Sequence, residues 1–192
     1  LQLWLDLQNK YKVMAPGIVQ WTDLPTQFLA GQVAMIYHTT GNLTNIRNNA
    51  NFEFGVSFLP AGRQYGAPTG GGNFYITSGI SEERQRAAWE SIKFMCSTEL
   101  AAQWSIETGY VATRESAYET DLLKQYYTDF PPALVAYQQL PYAQPELTTY
   151  SAAEMWRILN DNIQAAVTGE MTAAEALKNA QEQGDELLFD FQ

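Results

Sequence analysis

The sequence predicts an α/β protein in which helices outnumber strands. Three observations carry that reading. Amphipathic stretches begin at helix-start signals: Ser81 ahead of Glu82 and Glu83, and the capping-box spacings Ser151-x-x-Glu154 and Thr172-x-x-Glu175. Short apolar or alternating runs at 33–37, 52–60 and 74–77 are bounded by glycine, proline and polar residues, as strands are. The 192 residues, 46% hydrophobic and 17% charged, suffice for a packed core in one large domain or parts of two.

Taken in order, 1–12 reads as a helix (Leu1, Leu3, Trp4, Leu5, Leu7) closed by the Ala15-Pro16-Gly17 loop. A short helix follows at 23–30, with Gly31 as its C-terminal stop. Residues 33–37 then read as a buried strand, 43–50 as a short helix and 52–60 as an alternating strand. A loop over 61–69 leads through Gly70-Gly71-Gly72-Asn73 to a strand at 74–77. Helices are expected from Ser81 to about Cys96 and from Thr98 to the stop at Gly109. Short helical pieces follow from Glu115, and Pro131, Pro132, Pro141 and Pro145 mark a loop-rich passage. Two long helices, starting at Ser151 and Thr172 and separated by Gly169, complete the chain.

The bulk properties exclude several classes. A net charge of −10 argues against a nucleic-acid partner, because phosphate backbones are bound by clustered Lys and Arg. No run of about 18 apolar residues is present, so no membrane-crossing helix is expected. A single cysteine, Cys96, forbids an intrachain disulfide, and its apolar neighbours suit a core thiol better than a nucleophile. A single histidine, His38, excludes an all-His metal site, and neither a metal nor a cofactor is expected. The GxSxG, HExxH and GxxxxGK[ST] templates are missing, and most carboxylates fall at helix starts or on polar faces, so the protein is read as non-enzymatic. Starting at Leu1 within a helix, the chain reads as part of a longer mature protein.

Four places suit a small polar ligand, each with a plainer alternative. In "FLAGQVAMIYHTTGNLTNI" the apolar run gives way to His38-Thr39-Thr40-Gly41-Asn42 before a helix, which is either a ligand-holding turn or an ordinary capped turn. Gly70-Gly71-Gly72 can present backbone N–H groups to an anion, or serve as a flexible turn. Tyr110, after Gly109, could offer a ring face or a hydroxyl, or be a half-buried surface aromatic. Arg157 could contact a phosphate and Trp156 stack on a sugar; otherwise Trp156 is core and Arg157 a surface ion-pair partner.

Taken in order, five segments resemble the C-terminal half of the bacterial ABC-transporter extracellular solute-binding proteins of family 1. They are "FLAGQVAMIYHTTGNLTNI", "FEFGVSFLPAG", "GGGNFYI", "AAQWSIETGYVATRESAY" and "VTGEMTAAEALKNAQEQGDELL". Within the family the glycerol-3-phosphate-binding branch is most similar, through Thr39-Thr40-Gly41, Gly70-Gly71 and Thr108-Gly109-Tyr110. The resemblance implies half of a two-lobed type II periplasmic-binding-protein fold. It implies that residues 1–62 belong to the C-terminal lobe, 63–126 cross into the N-terminal lobe, and 127–192 return as a helical end. It also implies binding of glycerol-3-phosphate or a glycerophosphodiester through Thr39, Thr40, Gly71, Tyr110 and Arg157, with lobe closure around the ligand. The expected partners are that solute and the transmembrane permease subunits of an ABC importer. The expected location is periplasmic or extracellular, free or lipid-anchored. Family members that bind sugars carry an aromatic near the arginine position, so Trp156 makes a sugar or oligosaccharide the alternative ligand.

Overall fold

A computed structural model describes residues 1–191. By packing, the chain divides into two compact units, Leu1–Asp23 with Leu147–Gln192, and Leu24–Glu146.

In the first unit, α1 (Gln2–Leu5) continues through a wider π-helical turn, Asp6–Lys10. Gln8, buried there, donates from Nε2 to the carbonyls of Ala15 at 2.9 Å and Gly17 at 3.0 Å, which pins the loop that closes the helix. The two long C-terminal helices of this unit, Ala152–Val167 and Ala173–Leu187, pack on one another. Small residues make the approach possible: Ala176, Ala180 and Gly184 are buried, and a Cβ on Gly184 would stand 3.0 Å from the Met155 methyl.

Both capping boxes were expected to form, and one does. Thr172 Oγ1 accepts from the N–H of Glu175 at 3.2 Å, and the Glu175 carboxylate accepts from the N–H of Thr172 at 2.9 Å. Ser151 instead lies in the left-handed region at φ +50° and makes no side-chain cap hydrogen bond. Its intended partner, Glu154, is held by Arg157.

The second unit contains α2 (Leu24–Leu29), α3 (Leu43–Asn49), β1 (Ala67–Thr69), α4 (Glu82–Met95), α5 (Thr98–Thr108), α6 (Asp121–Asp129), α7 (Leu134–Gln139) and β2 (Ala143–Pro145). The C-terminal helices of the first unit are then α8 (Ala152–Val167) and α9 (Ala173–Leu187). Gly31 at φ +69° ends α2, Ser81 and Ser97 cap α4 and α5, and Gly109 at φ +95° ends α5. The core of the unit joins Leu43, Ala101, Ala102, Ala112, Ala117, Leu123, Tyr126 and Ala133. Leu123 is fully buried, and the alanines of α5 let α3 and α6 approach closely. Arg47 lies over the rings of Phe130 and Tyr126, at 4.7 and 5.3 Å, closing this core at the end of α3. Cys96 is the half-buried cap residue of α4 rather than a core thiol.

The strands depart most from expectation. None of 33–37, 52–60 and 74–77 forms a ladder among the described residues. Met35 is 82% exposed and Tyr75 83%, so the runs at 33–37 and 74–77 lack a neighbouring strand among the described residues and leave these side chains uncovered. Residues 52–60 keep the alternation without the pairing. Phe54 and Val56 reach the core, whereas Glu53, Gly55 and Ser57 face solvent. The strands that do form, β1 and β2, are parallel, with Ala67 opposite Ala143 and Thr69 opposite Pro145. Both fall in passages read as loops, and both contain proline, which conceals a strand from sequence. The proline passage is also more helical than expected, with 3-10 turns at Pro131–Ala133 and Leu140–Tyr142 flanking α7.

Candidate functional site

The polar turn before α3 is built from its own backbone outward. Thr39 has extended φ and ψ, and its hydroxyl accepts from the N–H of Gly41 at 3.3 Å, which starts the 3-10 turn Thr40–Asn42. Accepting that bond leaves the hydroxyl proton able to donate to another group. Asn42 bridges backwards, its Nδ2 3.1 Å from Nδ1 of His38.

Tyr110 reaches the same turn from 69 residues further along the chain. A Cβ built on Gly41 would lie 2.3 Å from Cζ of Tyr110 and 2.7 Å from its hydroxyl oxygen, so the phenol ring lies directly on Gly41. Gly109 packs equally closely, because a Cβ there would stand 2.6 Å from the Thr40 carbonyl oxygen and from Leu43 Cβ. Thr44 Oγ1 donates to the Ile106 carbonyl at 2.7 Å and ties α3 to the end of α5. The Thr39-Thr40 turn and Tyr110, expected from two separate motifs, are thus brought into one cluster, with Tyr110 43% exposed. Gly41 and Gly109 are what permit the contact.

Gly71 lies apart from that cluster along the loop after β1, exposed, with open space where a side chain would stand. Its neighbour Gly70 lies against Glu146, whose carboxylate oxygen would be 2.7 Å from a Cβ at that position. A carboxylate beside the glycine run opposes an anion at Gly70 itself.

Arg157 and Trp156 occupy α8 of the first unit. Arg157 is exposed, with Nη1 2.7 Å from Asp161 and Nε and Nη2 on the Glu154 carboxylate. Its hydrogen bonds to Glu154 raise the guanidinium pKa further and lower that of Glu154. The surface ion-pair alternative therefore describes Arg157 as it stands here. Trp156 is 41% exposed, so it is not a core residue. Among the described residues no group of three or more His, Cys, Asp or Glu is placed to hold a metal, and no helix is long and apolar enough to cross a membrane.

Sequence reasoning passed over Ser105. It lies on the buried face of α5 beside Ala101 and Ala102, 3% exposed, and donates to the Tyr110 carbonyl at 2.6 Å. A lone hydroxyl on an otherwise apolar helix face, one turn before a terminating glycine, was the available signal.

Comparison with known proteins places the chain in a family. The family profile of the bacterial extracellular solute-binding proteins matches residues 1–132. The chain belongs to that family. It is 29% identical to the sn-glycerol-3-phosphate-binding periplasmic protein UgpB of Yersinia pseudotuberculosis, over 100% of this chain and 46% of that protein. It is also 29% identical to the UgpB of Pectobacterium atrosepticum, over 88% of this chain and 41% of that protein, and to the UgpB of Salmonella typhimurium, over 86% of this chain and 40% of that protein. The crystal structure of UgpB from Mycobacterium tuberculosis in complex with glycerophosphocholine superposes with a TM-score of 0.78 and 29% identity. That superposition covers 88% of this chain and 44% of that one. The fold is thus the helix-rich C-terminal half of the type II periplasmic binding fold. The chain spans about half the length of the relatives it matches.

Proposed function

We propose that this chain is the C-terminal part of a non-catalytic solute-binding subunit that delivers glycerol-3-phosphate or a glycerophosphodiester to the permease subunits of an ABC importer. The observation that carries the reading is the convergence of Thr39, Thr40 and Tyr110 on Gly41, beside the likeness to proteins named for glycerol-3-phosphate. Three hydroxyls on rigid helix termini suit a ligand made of hydroxyls and phosphate oxygens. Gly71 adds a backbone N–H, and Arg157 supplies the charge by exchanging Glu154 and Asp161 for phosphate, a trade between charge-assisted bonds. The protein works outside the cytoplasm, free in the periplasm or held by a lipid.

A second reading keeps the fold and makes the ligand a sugar. It is favoured by Arg157 being already engaged by two carboxylates and by the exposed ring of Trp156. Calorimetric titration of the intact protein with glycerol-3-phosphate, glycerophosphocholine and maltose separates the two. Tight glycerophosphate binding that weakens about ten- to hundredfold in Arg157→Ala supports the first reading. Maltose binding that survives Arg157→Ala and collapses in Trp156→Ala replaces it with the second.

A further inference from the structure

We infer that Ser105 is a positioning residue for ligand recognition, acting through Tyr110; the inference deepens the proposed function and rests on Tyr110 being a ligand contact. Tyr110 is the first residue after the left-handed turn at Gly109, where the chain has left α5 and its backbone no longer has helical partners. Two hydroxyls of α5 take their place. The Tyr110 N–H donates to Thr108 Oγ1 at 3.1 Å, and its carbonyl accepts from Ser105 Oγ at 2.6 Å. Holding both peptide groups sets the direction of the Tyr110 side chain, and that direction brings the ring onto Gly41.

The two hydroxyls are not equivalent. Thr108 is half-buried and its bond to the Tyr110 N–H is open to solvent, so water can replace its oxygen. Ser105 is 3% exposed and lies within the core of the unit, where water cannot follow. Tyr127 of α6, stacked on Tyr118 with ring centroids 6.2 Å apart, packs against the same core. Ser105 thus couples the packing of α5 and α6 to the placement of one ring at the candidate site. Tyr110 is a side chain at the candidate site whose placement depends on a buried hydroxyl five positions earlier.

The test needs no ligand at first. In the intact protein the Tyr110 ring shields Gly41, so the Gly41 α-protons resonate upfield of ordinary glycine. In Ser105→Ala that shift collapses toward the value seen in Tyr110→Ala, while far-ultraviolet circular dichroism stays unchanged. Ser105→Cys, which keeps the volume and weakens the donor, serves if the alanine variant does not fold. An unaltered Gly41 signal in the folded variant overturns the proposal.

Affinity then follows for whichever of glycerol-3-phosphate, glycerophosphocholine or maltose the protein binds. Ser105→Ala weakens binding about three- to tenfold in the wild-type background and leaves it unchanged in the Tyr110→Ala background. Equal losses in both backgrounds show Ser105 acting independently of Tyr110 and overturn the proposal. Failure of the glycerophosphate reading appears separately, as the identity of the ligand bound.

Discussion

Replacing Gly109 by alanine tests the packing that brings the two halves of the candidate site together. The backbone there is at φ +95°, and an L-residue in the left-handed region costs about 1–2 kcal/mol. The new Cβ would also stand 2.6 Å from the Thr40 carbonyl oxygen, 2.6 Å from Leu43 Cβ and 3.2 Å from the Thr44 nitrogen. None of these atoms is the loose end of a flexible side chain, so α3 must move away from α5, an overpacking cost of about 1–3 kcal/mol. The total, about 2–5 kcal/mol, is a large part of the 5–15 kcal/mol that holds a typical domain folded.

Gly31 provides the control. It has φ +69° but nothing within 4 Å of its Cβ position, so Gly31→Ala isolates the conformational cost at about 1–2 kcal/mol. Gly71, with open space and no positive φ, is expected to change by less than about 0.5 kcal/mol. Urea unfolding at constant m-value orders the three variants. Gly109→Ala no more destabilising than Gly31→Ala would falsify the close contact between α5 and the Thr40 turn.

Thr172→Ala is expected to cost about 0.5–2 kcal/mol by removing a formed cap, whereas Ser151→Ala removes none and leaves urea stability nearly unchanged. Hydrogen bonds from the Thr172 N–H and hydroxyl lower the Glu175 pKa. The stability they add is present above its ordinary value of 4.5 and is lost as pH falls through the lower folded value, so the gap in urea midpoint between Thr172→Ala and wild type should narrow in acid to what the bond from the Glu175 N–H alone provides. Burial, then the charge of Tyr127, raises the Tyr118 pKa, and burial likewise raises that of Tyr127. Because the unfolded phenols ionise near 10, stability should fall as pH rises above 10. Absorbance at the phenolate band should show these two titrating only with unfolding, and Tyr118→Phe should flatten the alkaline loss. An Arg157→Ala variant should keep the wild-type urea midpoint, since its partners are exposed carboxylates on the same helix. A shifted midpoint would assign Arg157 a structural role.

The helices were legible in the sequence because their signals are local. Ser81, Thr172, Gly31 and Gly109 start or stop elements through bonds to residues three to five positions away, so the order of residues alone determines them. Ser151 marks the limit of that logic: its spacing to Glu154 is correct, but its backbone is left-handed and Arg157 holds the carboxylate. The strands were not legible, because a strand is completed by partners from elsewhere. Residues 33–37 and 74–77 have strand composition and no ladder, while the proline-bearing β1 and β2 pair across 76 positions. The candidate site divides the same way. The sequence by itself determined that Thr39-Thr40-Gly41 is a polar turn ahead of a helix and that Tyr110 follows a helix stop. Only the tertiary structure decided that the Tyr110 ring lies on Gly41, that Gly109 packs on Thr40, and that Ser105 holds the Tyr110 carbonyl. Those contacts depend on the missing volume of two glycines and on one buried hydroxyl, and such complementarity exists only once α3 and α5 have met.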